Sequence, residues 1–284
     1  MLITNFYSPS LTHGHQTAHS TLAWKASNLI KITQTTSATP ISRTQSRKPN
    51  GILVARCCSS ALPKLKDQLL STIAASNGTI SEDSMALISS LEKLNPNPDL
   101  RLASHLYNGC FQSISGSFKG TGKPGEAQKI VEKTVTLGRA AFNAFKPTDI
   151  EIQLEQTYNH VGIEAEDAYN LLIQFSVSSD GIPPMEGMFI NRAVFSVSGA
   201  ARMEVRFESS AMVPLNPNRD LESWLKLFKD ANPTMDEEGS ATVALPPAKG
   251  SLDYIYLDDD LRITRGNRGA IVVVKRLQSK VIHL

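Results

Sequence analysis

The sequence predicts a mainly β protein of the α+β kind: an antiparallel barrel or sandwich, preceded by a short helical hairpin and interrupted by one helix. Three observations predict it. After Leu100, short apolar segments recur between turn signals, and several alternate in the period of two that marks a half-buried strand. Before Leu100, apolar residues fall at helical spacing instead. The composition of the 284 residues, 41% apolar and 20% charged, supplies a core. No apolar run reaches the roughly 18–20 residues that a membrane-crossing helix needs.

The N-terminal residues are a different material. No Asp or Glu precedes Asp67, whereas Lys25, Lys31, Arg43, Arg47, Lys48 and Arg56 lie among many Ser and Thr. Such a basic, hydroxyl-rich, acid-free leader has the composition of an organelle transit peptide and too little apolar area to offset chain entropy. Ile52-Leu53-Val54-Ala55-Arg56-Cys57-Cys58 resembles a plastid processing site. Residues 1–57 are therefore expected to be a disordered chloroplast transit peptide, residues 58–101 a helical segment and residues 102–284 the barrel. A basic tail for nucleic acid is the competing reading, disfavoured because its Lys and Arg are dispersed. Cleavage there removes six of the 29 basic residues and none of the 27 acidic ones, leaving 23 against 27 and a net charge of −4. A phosphate backbone is then a poor partner. Cys57 and Cys58 lie at the expected cut, Cys110 is left single, and no CxxC occurs, so neither a zinc site nor a dithiol site is supported.

Taken in order, Leu62, Leu65, Leu69 and Ile73 form one helical stripe that ends at Asn77-Gly78. Thr79-Ile80-Ser81-Glu82 offers a capping box for a second helix carrying Met85, Ile88 and Leu91, which Asn95-Pro96-Asn97-Pro98 terminates. The hairpin's stripe packs on its own domain or docks on a partner enzyme. Strands are expected over 106–114, 137–145, 150–154, 168–177, 188–197, 202–208, 252–257, 261–265 and 269–277. Met203, Val205 and Phe207 share one face, as do Leu252, Tyr254 and Tyr256. The last two strands form a hairpin across Gly266-Asn267-Arg268-Gly269. The interrupting helix, Arg219–Asp230, carries Leu221, Trp224, Leu225 and Phe228 on one stripe. It either plugs one end of the barrel or offers Trp224, Leu225 and Phe228 to a membrane surface; its few basic residues favour the plug.

Several motifs fail on their context. Gly120-Thr121-Gly122-Lys123-Pro124-Gly125 matches GxGxxG, with a helical segment expected over 126–136. A dinucleotide fold would need alternating strands and helices beyond it, and Pro124 removes an N–H from the phosphate cradle. His13, His15 and His19 sit in the leader, and His105, His160 and His283 lack ligand spacing. Asp258-Asp259-Asp260 lacks the spacing of a calcium loop and reads as a turn. No nucleophile elbow or paired carboxylates stand out, so no catalytic residue, metal ligand or cofactor is assigned.

Leu252-Asp253-Tyr254-Ile255-Tyr256-Leu257-Asp258-Asp259-Asp260-Leu261-Arg262-Ile263-Thr264-Arg265-Gly266-Asn267-Arg268-Gly269 resembles the C-terminal signature of the plastid-lipid-associated protein, or fibrillin (PAP/fibrillin), family. Leu91-Glu92-Lys93-Leu94-Asn95-Pro96-Asn97-Pro98 is similar to the segment that follows the family's N-terminal helices, and the resemblance extends over residues 62–277. Two features depart from the pattern. Gly109-Cys110-Phe111 stands where the family's first strand carries Gly-x-Trp followed by Tyr-Thr, and segment 209–249 is longer than the family's. The resemblance implies a lipocalin-like barrel and a non-catalytic plastid protein at plastoglobules or thylakoids, associated with prenylquinones, carotenoids or acyl lipids. The alternative is a soluble stromal accessory protein of a lipid or prenyl-chain biosynthetic enzyme. A barrel of about eight strands holds one small ligand. The lining candidates are Phe142, Phe145, Phe175, Phe189, Phe195, Phe207, Tyr254 and Tyr256. Arg262 and Arg265 lie on opposite faces of one strand; one is expected to close the barrel end by stacking on Phe111, and the other is a candidate to reach a headgroup, with structural use the favoured reading for both.

Overall fold

The computed structural model describes residues 61–115, 134–177, 180–267 and 269–278. The leader, the Gly120–Gly125 motif and most of the helix expected over 126–136 lie outside them. The chain begins with α1 (Ala61–Ala75) and α2 (Glu82–Lys93). Asn77 and Gly78, both at positive φ, turn the chain between them, and the Gly78 N–H reaches the Ile73 carbonyl at 2.8 Å. The N-cap of α2 is Ser81, whose hydroxyl accepts from the Ser84 N–H at 3.2 Å, so the expected capping box starts two residues later than Thr79.

Nine strands follow: β1 (Gly109–Ser113), β2 (Thr134–Thr136), β3 (Glu151–Val161), β4 (Ala168–Val177), β5 (Met185–Val197), β6 (Arg202–Pro214), β7 (Ala241–Leu257), β8 (Leu261–Gly266) and β9 (Ile271–Arg276). They are ordered β1-β9-β8-β7-β6-β5-β4-β3-β2, and β1 also pairs with β3. That pairing closes eight antiparallel strands into a barrel and leaves β2 as a short addition on β3. Closure removes the sheet edges that would otherwise expose unpaired backbone groups.

Each barrel end has its own cover. The segment 95–108, which includes a single 3₁₀ turn and α3 (Ser104–Tyr107), straps one end. Asn95 Oδ1 accepts from the Leu257 N–H at 3.2 Å, Asn97 Nδ2 donates to the Leu257 carbonyl at 2.9 Å, and the Leu100 N–H donates to the Ala200 carbonyl at 2.6 Å. The other end is covered by α4 (Leu137–Ala140) with its following loop, and by α5 (Pro217–Phe228).

Two strand expectations and one helix expectation are corrected. Over 106–114 the chain is a helical turn followed by the shorter β1. Over 137–145 it is α4 and a tight turn: Thr136 caps the Arg139 N–H at 3.4 Å, and Phe142 and Asn143 are both left-handed at φ 57°. Residues 134–136, expected to be helical, form β2. The hidden first half of β7 contains Pro246-Pro247, which argues against a regular strand. Pairing with β6 tolerates them because the register shifts there, between Phe207 and Ser209.

The hairpin lies on the outer wall formed by β7, β8 and β9. Leu69, Ile73, Ile88 and Leu91 pack against Ile255, Tyr256, Leu261, Ile263, Ile271 and Val273. Lys66 Nζ donates to Asp258 Oδ2 at 2.6 Å, and Arg265 Nη2 lies 3.8 Å from Glu92 Oε2. The stripe that could have docked on a partner enzyme is buried within this chain.

Candidate functional site: the barrel interior

At the α5 end the interior is an aromatic column. Phe145 stacks on Phe189 at 6.0 Å, Phe189 on Phe175 at 4.4 Å, Phe175 meets Trp224 at 6.2 Å, and Trp224 meets Phe228 at 4.7 Å. α5 reaches this position because Trp224 and Phe228 are one helical turn apart on the face turned to the barrel mouth. Trp224 Nε1 donates to the Gly239 carbonyl at 2.8 Å. The absence of a side chain at Gly187 makes room: a Cβ there would stand 2.4 Å from Trp224. Asn232 clasps the two covers together, accepting from the Lys146 N–H at 3.0 Å and donating to the carbonyls of Lys146 and Phe228 at 2.7 Å each.

This placement corrects the membrane-contact expectation for α5. Trp224 and Phe228 are 0% exposed, and Leu225 is half-buried against the same core. The helix is a plug, and its apolar stripe is spent on the barrel.

At the strap end, Phe111 meets two guanidinium groups, with Arg262 4.2 Å and Arg276 4.6 Å from the ring centre. Arg276 ties the end shut by donating to the carbonyls of Leu106, Asn108 and Asp259. Gly109 lets it pass: φ is +138°, and a Cβ would stand 2.3 Å from Arg276 Nη1. The closing role expected of Arg262 or Arg265 therefore belongs chiefly to Arg276, which sequence reasoning missed. Only the pairing of β1 with β9, Phe111 opposite Arg276, reveals it. Arg262 points inward and adds the second stacking contact, whereas Arg265 points outward to Glu92 and cannot reach an interior headgroup. Tyr107 from α3 meets Phe195 at 5.8 Å and Tyr254 at 6.4 Å.

Of the lining candidates, Phe145, Phe175, Phe189, Phe207 and Tyr254 are buried in the main interior cluster, and Phe142 and Phe195 pack partly buried against it. Tyr256 is corrected. The pairing of β7 with β8 shifts between Tyr254 and Tyr256, and this bulge places Ile255 and Tyr256 together on the outer wall while Leu257 returns to the interior. The Tyr256 hydroxyl donates to Asp258 Oδ2 at 2.6 Å.

Between the two ends lies a polar belt. Arg262 Nη2 donates to Asn159 Oδ1 at 2.7 Å, Ser210 Oγ to Asn191 Oδ1 at 2.8 Å, and Asn191 Nδ2 to the Leu171 carbonyl at 3.3 Å. Burial raises the pKa of Tyr254 and holds its hydroxyl neutral. Val161, Ile173, Phe175, Phe189 and Met203 are all 0% exposed. The described interior side chains thus cover one another, and a ligand enters only by displacing some of them.

Other chemistry is thin. Among the described residues no three His, Cys, Asp or Glu side chains gather where they could hold a metal, and no helix is long and apolar enough to cross a membrane. Burial pushes the Cys110 thiol up, which suppresses the reactive thiolate.

Fold and interior together define a closed, eight-stranded antiparallel barrel of lipocalin-like architecture, capped at both ends and carrying a helical hairpin on its wall. The PAP_fibrillin family model matches residues 63–275, most of the chain, and the protein belongs to that family. The family is plastid-associated and generally non-catalytic. Neither the curated proteins nor the solved structures searched contain a match.

Proposed function

We propose that this protein is a non-catalytic plastid protein that binds or coats apolar lipids, of the prenylquinone, carotenoid or acyl-lipid kind, at plastoglobules or thylakoids. The observation that carries this reading is the interior of a PAP/fibrillin barrel lined from its α5 end by Phe145, Phe175, Phe189 and Trp224. Such a lining offers a long apolar molecule dispersion contacts and exclusion from water, and offers little to a polar metabolite. Burial of the α1–α2 stripe against the barrel weighs against the accessory-protein alternative, which would have used that stripe to grip an enzyme.

The test is flotation. Purified full chain is mixed with droplets of triacylglycerol and a prenylquinone under a galactolipid monolayer and centrifuged through a density step. The protein is expected to rise with the droplets; protein left at the bottom, with no lipid removed from the droplets, would overturn the reading.

A further inference from the structure

Two formally charged side chains are buried among the described residues. Asp220 has its counter-charge, since Arg219 Nη2 lies 2.6 Å from its Oδ2. Arg262 has none. It is 2% exposed, and no described carboxylate reaches it. Nη2 is satisfied by Asn159 at 2.7 Å; among the described residues Nε and Nη1 make no hydrogen bond of good geometry, and the neutral Tyr254 hydroxyl is the polar group beside them. The Phe111 face at 4.2 Å and the Tyr254 ring at 5.9 Å attract the cation through their quadrupoles without neutralising it. An unpaired buried guanidinium with idle donors is among the costliest arrangements a core can hold. An apolar residue of similar volume would seal the same space at lower cost. A second arginine, Arg276, already makes the main-chain bonds that close the end.

We propose that Arg262 anchors a singly charged anionic headgroup, the carboxylate of a long-chain acyl lipid, whose tail runs along the barrel interior toward α5. This rests on the lipid-binding reading above and names the ligand class within it. The uncompensated guanidinium selects an anion, and a carboxylate is the anionic group that ends a long acyl chain; the Arg276 guanidinium, 4.6 Å from the same Phe111 ring, adds a second positive charge beside it. A neutral lipid would leave the guanidinium uncompensated; a phosphomonoester is the competing anion, and oleyl phosphate binding more tightly than oleate would overturn the carboxylate. The interior sets the orientation: Asn159 and Arg262 lie toward the strap end, whereas Phe145, Phe175, Phe189 and Trp224 fill the other. Because the described interior is filled, the tail enters as aromatic rings of the column turn aside, and it replaces the contacts they made with one another.

Native mass spectrometry of the full chain, titrated with oleate, methyl oleate, oleyl phosphate or oleyl alcohol below their aggregation concentrations at pH 8, tests this. Oleate is expected to bind about tenfold or more tighter than methyl oleate, the difference a charge-assisted hydrogen bond supplies. Arg262→Met is expected to abolish that preference while still binding methyl oleate, and Arg262→Lys to retain part of it. Equal affinity of the wild-type chain for oleate and methyl oleate would overturn the carboxylate anchor and leave the lipid reading standing. Binding of neither would overturn the anchor, and flotation with prenylquinone droplets decides the lipid reading separately. Selectivity undiminished in Arg262→Met would also overturn the anchor. Should Arg262→Met not fold, the wild-type comparison and Arg262→Lys decide.

Discussion

Replacing Trp224 by alanine separates the two roles open to α5, barrel plug and membrane anchor. Trp224 is 0% exposed, lies against Phe175 and Phe228, and spends its indole N–H on the Gly239 carbonyl. Truncating a buried Trp to Ala costs about 3–5 kcal/mol from lost transfer energy and the residual cavity. Leaving the Gly239 carbonyl without its donor adds about 1 kcal/mol. The sum, about 4–6 kcal/mol, is a large part of the roughly 5–15 kcal/mol that stabilises a typical domain. The melting temperature should fall by roughly 10–20 °C. Urea unfolding followed by far-ultraviolet circular dichroism measures it on the full chain. Trp224→Phe, which keeps most of the ring and loses the hydrogen bond, should cost about 1–3 kcal/mol. A loss below about 1 kcal/mol in Trp224→Ala, coupled to weaker droplet binding, would refute the plug and restore the membrane-facing tryptophan.

Two further perturbations test other parts of the structure. Gly109→Ala places a methyl group on a residue at φ +138° and into Arg276 Nη1, so it should cost about 2–4 kcal/mol and release the strap end; a thermal melt within error of wild type would show that Arg276 does not close that end. His160 is 1% exposed, both ring nitrogens lack partners among the described residues, and burial lowers its pKa. The unfolded imidazole, with a pKa of about 6.5, takes up a proton that the folded one resists, so stability holds above that pH and falls as the pH drops below it. The wild-type chain should therefore lose more melting temperature between pH 7.5 and 5.5 than His160→Leu; identical losses would contradict the buried, neutral histidine.

What could be read in advance was whatever depended on local periodicity. The α1 and α2 stripes, the alternation in β6 and the Trp224–Phe228 face of α5 each follow from side-chain spacing within one element. What could not be read depended on partners. Tyr256 shares an apparent face with Tyr254 until a bulge inserts Ile255 into the count, and nothing in the β7 sequence marks the register of β8. Arg276 acquires its role only when β1 closes on β9 and brings Phe111 beside it. Pro246-Pro247 hides the first half of β7 because a local rule against proline in strands is overruled by a register shift. The lack of a described counter-charge for Arg262 is likewise invisible in a sequence that places three aspartates just before it: Asp258 is taken by Lys66 and Tyr256, and Asp260 also faces Lys66.

The most direct measurement is the identity and stoichiometry of what the protein carries. Full-length chain purified from a plastid-containing source without detergent, washed and denatured, would be assayed for released lipids by mass spectrometry. A reproducible, substoichiometric to one-to-one complement of apolar or acyl lipids is the predicted result. Preparations free of lipid, which also take none up from galactolipid vesicles doped with prenylquinone and fatty acid, would contradict a lipid-binding barrel.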